Sequence, residues 1–231
     1  EEGSLTSRAI TEKLAGQCEA VLVCEPSGPG GAAKTARKGV GNFIVKVTGV
    51  SSHAGLDFEK GHNAIVELAR QIEVLSGITD MKRGITLNVG VVRGGTRTNV
   101  VPSEAAADID VRLARKSDGA VVERKIRRLR PIDRKCRIEV AGGINRPPME
   151  RTKEVASLFA KAQEIGRQLG FSLPEVAVGG GSDGNFTAGM GIPTLDGLGA
   201  VGEGAHAPHE SIVAAELPRR AALLARLIEA L

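Results

Sequence analysis

The sequence predicts an α/β protein in which a small βαββαβ domain interrupts a larger α/β domain. The apolar run Ala20 to Cys24 has the length and composition of a strand buried on both faces, as in a parallel sheet. Between Gly41 and Ala141 the periodicities follow the order strand, helix, strand, strand, helix, strand. That order is typical of a ferredoxin-like domain.

The inserted domain is predicted from alternating and helical apolar patterns. Strands are expected at 42–47, 86–92, 107–113 and 136–140, and helices at 64–75 and 119–129. The flanks continue the α/β pattern, with helices at 5–15, 155–169 and 217–231 and short strands at 176–178 and 193–195. Because neither flank holds enough strands for a core, we expect 1–38 and 147–231 to form one α/β domain around an inserted 39–146. The Gly- and Ala-rich stretch Gly28 to Lys38 is interpreted as the connector.

Composition limits the classes of function. The 231 residues are 42% hydrophobic with a formal charge of +4, which is too small to indicate nucleic acid by itself. No run of eighteen apolar residues is present, so we expect no membrane span. The three scattered cysteines favour a reducing compartment, so we expect the cytoplasm. The opening Glu1-Glu2-Gly3-Ser4 lacks a Met and a signal peptide, so we expect the chain to begin inside a longer protein.

The basic stretch at 124–137 could indicate RNA, because βαββαβ domains bind RNA through aromatic residues on the sheet. The chain has five Phe and no Tyr or Trp, so such stacking platforms are missing. We interpret the stretch as the solvated face of the second helix of the insert and predict no nucleic-acid partner.

Several carboxylates and histidines stand where a metal site could form. Glu25 ends the apolar strand, at the edge of a sheet where α/β enzymes collect ligands. His206 lies in a glycine-rich loop, and Glu1 and Glu2 are adjacent. Carboxylates and imidazole without sulfur suit catalytic zinc, and also manganese or cobalt. A solvated strand-end charge and an idle loop histidine are the plainer alternatives.

The chain resembles the two-zinc aminoacylase/carboxypeptidase family, which includes glutamate carboxypeptidase, acetylornithine deacetylase and succinyl-diaminopimelate desuccinylase. The resemblance covers the whole chain and rests on eight motifs in order: Glu1-Glu2-Gly3-Ser4, Cys24-Glu25-Pro26, Ser52-His53-Ala54-Gly55, Gly61-His62-Asn63-Ala64, Thr98 to Pro102, Asp110-Val111-Arg112, Gly179 to Asp183 and the loop with His206. The amino-acid sequences of 94–99 and 179–186 are most similar to those of the glutamate carboxypeptidase branch. The resemblance implies a zinc-peptidase α/β catalytic domain carrying a lid and dimerisation domain.

The resemblance also implies the roles of the metal-site residues. Glu1 would be the general base, Glu2 and His206 would bind one zinc ion, and Glu25 would bind the other. The family's upstream histidine and bridging aspartate have no counterpart in this sequence, so we expect them in a preceding segment.

The insert would supply a residue in trans. His53 would reach the partner's site and stabilise the oxyanion of the tetrahedral intermediate. The residues implied to hold the substrate are Asn99, Arg112, Arg146 and Lys34, with Gly181 and Ser182 in the glycine-rich loop that lines the pocket.

The favoured function is hydrolysis of an amide or peptide bond next to a carboxylate-bearing residue, as in a glutamate carboxypeptidase. The expected partners are a small acidic peptide or N-acyl amino acid and a second copy of the chain, bound through the lid. The alternatives are an N-acyl amino acid deacylase of the acetylornithine or succinyl-diaminopimelate type, and an inactive fragment that retains only dimerisation.

Overall fold

The computed structural model describes residue 4 and residues 6–231, which divide into two compact units. One unit is 39–145, and the other combines the described residues up to Lys38 with 146–231. The α-helices found within these residues are α1 (Arg8–Ala15), α2 (Ala64–Ser76), α3 (Lys116–Arg127), α4 (Lys153–Gln168), α5 (Gly184–Gly189) and α6 (Leu217–Glu229).

The strands in the same residues range from two to ten residues in length. They are β1 (Val21–Leu22), β2 (Ala33–Arg37), β3 (Gly39–Thr48), β4 (Ser52–His53), β5 (Thr86–Gly94), β6 (Val100–Val101), β7 (Glu104–Leu113), β8 (Arg137–Arg146), β9 (Glu175–Val178), β10 (Thr194–Leu195), β11 (Gly202–Glu203) and β12 (Ser211–Ile212).

The unit 39–145 contains a four-stranded sheet in the order β5-β7-β3-β8. Both β3 and β5 pair antiparallel with β7. Alternate residues of β3 and β7 are buried, and α2 and α3 contribute Leu68, Leu75, Val122 and Ile126 to the same apolar cluster. Since both helices pack on one side of the sheet, the predicted ferredoxin-like arrangement is confirmed.

Local sequence explains where α2 begins. The side chain of Asn63 accepts hydrogen bonds from Ile65 N at 3.0 Å and Val66 N at 3.1 Å, so it satisfies two backbone N–H groups that the first turn leaves unpaired. The helix ends at Ser76, before Gly77. The basic side chains of α3 and the following turn are exposed from Arg124 to Lys135, as a solvated face predicts.

The second unit has shorter strands. β1 pairs in parallel with β10, and β2 pairs in parallel with β9. Its apolar cluster joins α4 and α6 to the sheet, through residues that include Leu158, Leu195, Leu223 and Leu227.

Two sequence predictions for this unit were wrong. The predicted connector contains β2, because Ala33, Thr35 and Arg37 alternate inward and are buried. The predicted strand Ala20 to Cys24 is reduced to Val21–Leu22, whose residues are half-buried. The apolar run indicated burial on both faces, but β1 pairs only with β10 among the described strands.

Among residues 6–231, no helix is long and apolar enough to cross a membrane.

Candidate active site

The predicted site residues fall into two groups, one in each unit. Glu25, Lys34, Arg146, Gly181, Ser182 and His206 lie in the unit that ends at Leu231, and His53, Asn99 and Arg112 lie in 39–145. Glu1 and Glu2, the predicted general base and its neighbouring ligand, lie outside the described residues.

Glu25 follows β1 in an exposed position. Its backbone is fixed by a hydrogen bond from Gly199 N to Glu25 O at 2.9 Å, next to one from Leu198 N to Val23 O at 3.1 Å. The segment after β10 therefore lies directly against the chain that presents the Glu25 carboxylate.

A buried ion pair lies in the same unit. Arg37 and Asp196 form a two-pronged contact, with Nε–Oδ2 at 2.7 Å and Nη2–Oδ1 at 2.8 Å. Asp196 is fully buried and also accepts a hydrogen bond from Ser182 Oγ. Arg37 Nη1 donates to Gly180 O at 3.0 Å. The pair thus fixes the glycine-rich loop from two sides.

Ser182 has a structural contact that the sequence did not predict. Its hydroxyl donates to Asp196, accepts from Gly184 N at 3.1 Å, and is buried with the rest of the residue. Gly181 next to it is exposed. Of the two, Gly181 is the residue that an incoming ligand can approach.

Lys34 lies on β2, and its backbone exchanges hydrogen bonds with Asp196 at 2.7 Å and 3.1 Å. Burial, followed by the charge of Arg37, lowers the pKa of Lys34, while Asp196 and Glu25 act in the opposite direction. A half-buried ammonium that is incompletely neutralised by nearby carboxylates favours a further anion in its neighbourhood.

Arg146 is buried rather than solvated. Its Nη1 donates to Asp183 Oδ1 at 2.9 Å and its Nη2 to Ser4 Oγ at 3.3 Å. The guanidinium also stacks over Phe186, 4.4 Å from the ring centroid. A substrate carboxylate bound by Arg146 would therefore share it with Asp183.

His206 lies between β11 and β12, which form a short antiparallel hairpin. Its backbone has a φ of 66°, in the left-handed region that favours glycine, and its side chain is exposed. A non-glycine residue held in that region is uncommon and is found at functional sites more often than elsewhere.

The metal donors among the described residues are chemically suited to zinc. Glu25 offers a carboxylate and His206 an imidazole, both exposed. The described residues contain no cluster of three or more His, Cys, Asp or Glu side chains that could hold a metal ion. Catalytic zinc normally has three protein ligands, so each of these donors fits a zinc ion as part of a larger ligand set.

In the other unit, His53 and Asn99 are brought together. β4 pairs antiparallel with β6 so that His53 faces Val100, and Ala54 N donates to Asn99 O at 3.0 Å. His53 Nδ1 accepts hydrogen bonds from Gly55 N at 3.1 Å and Leu56 N at 3.2 Å. With Nδ1 an acceptor, the ring proton is on Nε2, so the exposed edge of His53 is a hydrogen-bond donor. A cleft of ≈ 500 Å³ adjoins them, lined in part by Ala54, Thr98 and Val100.

Arg112 lies on β7, in the four-stranded sheet rather than in the β4–β6 pair. The register pairs Arg112 with Val40 and Glu104 with Thr48, so Arg112 is near the end of β7 that is remote from β6. It forms a two-pronged contact with Asp110, with both distances 2.8 Å.

Three residues near the site were missed by sequence reasoning: Arg37, Asp196 and the buried Arg220. Asp196 had a signal, because it follows a predicted strand as Glu25 does. Arg37 lay in the supposed connector, and Arg220 in an otherwise ordinary amphipathic helix.

Comparisons with known proteins agree with this architecture. The peptidase dimerisation domain model matches residues 35–130. Carboxypeptidase G2 of Pseudomonas sp. is 29% identical over 235 residues, covering 99% of this chain and 56% of that protein. A p-aminobenzoyl-glutamate hydrolase component from Escherichia coli is 33% identical over 123 residues, covering 49% of this chain and 28% of that protein.

Among solved structures, aminopeptidase PepT from Bacillus cereus superposes with a TM-score of 0.80 at 23% identity, covering 97% of this chain and 61% of that chain. The chain spans about half the length of carboxypeptidase G2. Residues 35–130 therefore match the M20 peptidase dimerisation domain, and nearly the whole chain is similar to carboxypeptidase G2.

Proposed function

We propose that the protein is a metal-dependent hydrolase that cleaves an amide or peptide bond next to a carboxylate-bearing residue, with a C-terminal glutamate as the favoured residue. The similarity to carboxypeptidase G2 along nearly the whole chain supports this proposal. The p-aminobenzoyl-glutamate named for the Escherichia coli relative is an amide of glutamate.

The geometry of His53 is the observation on which this proposal mainly rests. Hydrolysis of an amide develops negative charge on the carbonyl oxygen, and a fixed N–H donor stabilises that charge more than it stabilises the substrate. Two backbone N–H groups hold the ring of His53 and leave Nε2–H exposed. The donor is thus preorganised without a charged partner.

The metal ligands in this proposal are Glu2, Glu25 and His206. They would hold two zinc ions together with residues of the remainder of the protein, and cobalt or manganese could replace zinc. When bound, zinc supplies a Lewis acid that polarises the amide carbonyl and makes a water more acidic. Glu1 would take the proton from the attacking water and pass it to the leaving amine.

Binding of the substrate carboxylate is assigned to basic and amide side chains. Lys34, Arg112, Arg146 and Asn99 are the candidates, and Gly181 lets the substrate approach the backbone closely. The unbalanced charge of Lys34 supports this assignment, because an added carboxylate would stabilise the half-buried ammonium.

We propose a homodimer formed through the unit 39–145, in which His53 acts in the partner's site. β5 is an edge strand of the sheet, with Val91 and Val92 exposed. Val66 and Val74 are exposed on α2, which contacts β5. An unpaired edge beside exposed apolar side chains is a surface that a second copy can cover.

The test is an assay of the full-length protein on p-aminobenzoyl-glutamate, N-acetylornithine and N-succinyl-diaminopimelate. We expect hydrolysis of the glutamate amide to have the highest kcat/KM, to stop after chelation, and to return when zinc is added. Preference for acetylornithine or the succinyl compound would favour the deacylase alternative, and no turnover with zinc restored would contradict the proposal.

Two histidine variants separate the roles. His53→Ala should lower kcat by about 100- to 1000-fold with unchanged zinc content, as expected for the loss of one oxyanion donor. His206→Ala should lower zinc content, while His209→Ala in the same exposed loop is the control and should change neither quantity. A His53→Ala enzyme with near-normal kcat would contradict the oxyanion role.

A further inference from the structure

Arg220 is an arginine of α6 with only 5% of its surface exposed. Its guanidinium donates to three backbone carbonyls: Gly31 O and Gly199 O, each at 3.0 Å, and Gly197 O. Burial lowers the pKa of Arg220, and Glu216 offsets this only in part. Burial of a cation among carbonyl groups carries a large desolvation free energy. A purely apolar helix face would therefore stabilise this core more.

Two of the three carbonyls that Arg220 holds, Gly197 O and Gly199 O, belong to the segment that supports Glu25. Gly199 N donates to Glu25 O at 2.9 Å, and Ser27 N donates to Ala200 O at 2.9 Å. An ideal Cβ on Gly199 would lie 2.8 Å from Glu25 O, so the two backbones are in direct contact. The Arg220 contact and the Glu25 contact are thus made by the C=O and the N–H of one residue, Gly199.

The same segment supports Lys34 from its other side. Gly197 has a φ of 73°, which favours glycine, and an ideal Cβ there would lie 3.0 Å from Lys34 Cγ. The preceding residue, Asp196, exchanges backbone hydrogen bonds with Lys34. The turn 197–199 therefore lies between Arg220 and two candidate site residues.

We propose that Arg220 is a positioning residue, which fixes the turn 197–199 and through it the backbone of Glu25 and the stem of Lys34. This inference rests on the proposed function for the roles of Glu25 and Lys34. The planar guanidinium has five N–H donors in a fixed geometry and can satisfy three carbonyls at once. Arg220 itself touches neither substrate nor metal.

Hydrogen exchange of the full-length protein tests the positioning directly. In Arg220→Met we expect the amides of Leu198 and Gly199 to exchange at least about tenfold faster, because their turn loses the two hydrogen bonds that Arg220 donates to Gly197 O and Gly199 O. Arg219→Met is the matched control, since Arg219 is the exposed neighbour that pairs with Glu216 at 3.1 Å. This control should leave the exchange of both amides unchanged.

A general loss of stability must be separated from a local one. The reference is hydrogen exchange of the wild-type protein in urea, at the concentration that lowers its free energy of unfolding to that of Arg220→Met. Exchange at 198–199 that is no faster in Arg220→Met than in this reference would overturn the proposal. Faster exchange confined to this turn supports it.

The consequence for the site is measured by the zinc affinity, kcat and KM of each variant. We expect Arg220→Met to bind zinc about tenfold more weakly, within the range seen when groups that orient a ligand are removed. Its kcat should fall more than its KM rises, and Arg219→Met should match wild type. Normal zinc affinity in Arg220→Met would overturn the link to Glu25. The exchange result does not depend on activity, so an inactive wild type would refute the proposed function while the positioning of the turn is judged separately.

Discussion

The two units bury different kinds of side chain. The four-stranded sheet of the unit 39–145 has strands of nine and ten residues and packs on a continuous apolar cluster, and Glu67 and Asp118 are the buried charged residues of this unit. In the other unit the described strands have two to five residues, and Arg37, Arg146, Asp196 and Arg220 are buried.

This difference follows from strand length. A long strand presents an apolar face that packs against helices, so the loops beside it are held in place with few additional polar contacts. Short strands bury less apolar surface, and the segments after them are fixed by charged side chains that reach several backbone groups. Arg37 binds the glycine-rich loop, and Arg220 binds the segment that contacts the backbone of Glu25. The unit with the shorter strands thus uses buried charged side chains to position the chain beside Glu25.

The largest effect is expected from Asp196→Ala. It leaves Arg37 buried without its carboxylate, which should lower the free energy of unfolding by about 3–5 kcal/mol. Urea denaturation measures this. The double variant Arg37→Met/Asp196→Leu removes both charges and should lose less than the single variant. A single variant that loses under about 1 kcal/mol would show that the pair does not hold this unit together.

An intermediate effect is expected in the unit 39–145 from Glu67→Gln. Burial alone would raise the pKa of Glu67, but the N–H groups of Asp133 and Ile132, with the side chain of Gln71, lower it overall. Glutamine has one acceptor oxygen, so a backbone N–H loses its partner at a cost of about 1–3 kcal/mol.

The pH dependence of this effect has a definite sign. Because the folded pKa of Glu67 is lowered, its contribution is fully present above 4.5 and is lost as the pH falls through the folded pKa. The difference between wild type and Glu67→Gln should therefore shrink below pH 4.5 in thermal melts. A difference that grows with acidification would contradict the assignment.

The smallest effect is expected from Glu164→Gln on α4. Hydrogen bonds from Arg167 and Gln168 lower the pKa of Glu164 to about 2. The group is exposed, so solvent screens the interaction and the variant should leave the Tm unchanged. Any contribution would be present above 4.5 and lost towards pH 2. Carbon-detected NMR titration measures the pKa of Glu164. A clear fall in the Tm of Glu164→Gln would show that exposed ion pairs contribute measurably to the stability of this unit.

The sequence by itself determined the fold of 39–145. The alternation in β3 and β7 and the helical spacing in α2 and α3 are local patterns. Each repeats often enough to be recognised in its own segment, without knowledge of the element that packs against it. The same reasoning placed Glu25 at a strand end, whereas His53 was identified only through the family resemblance. It failed at β2, where Ala33, Thr35 and Arg37 alternate but only one of the three is apolar.

Only the tertiary structure decided how the candidate site is supported. Arg37 and Asp196 are 159 residues apart, and Arg220 is 189 residues from Gly31. Each of these contacts involves a single side chain and a distant segment, so it produces no repeating pattern in the sequence. The tautomer of His53 likewise depends on two backbone N–H groups that a folded turn directs at Nδ1. Apolar periodicity records which face of an element is buried, whereas a buried hydrogen bond depends on where two distant segments meet.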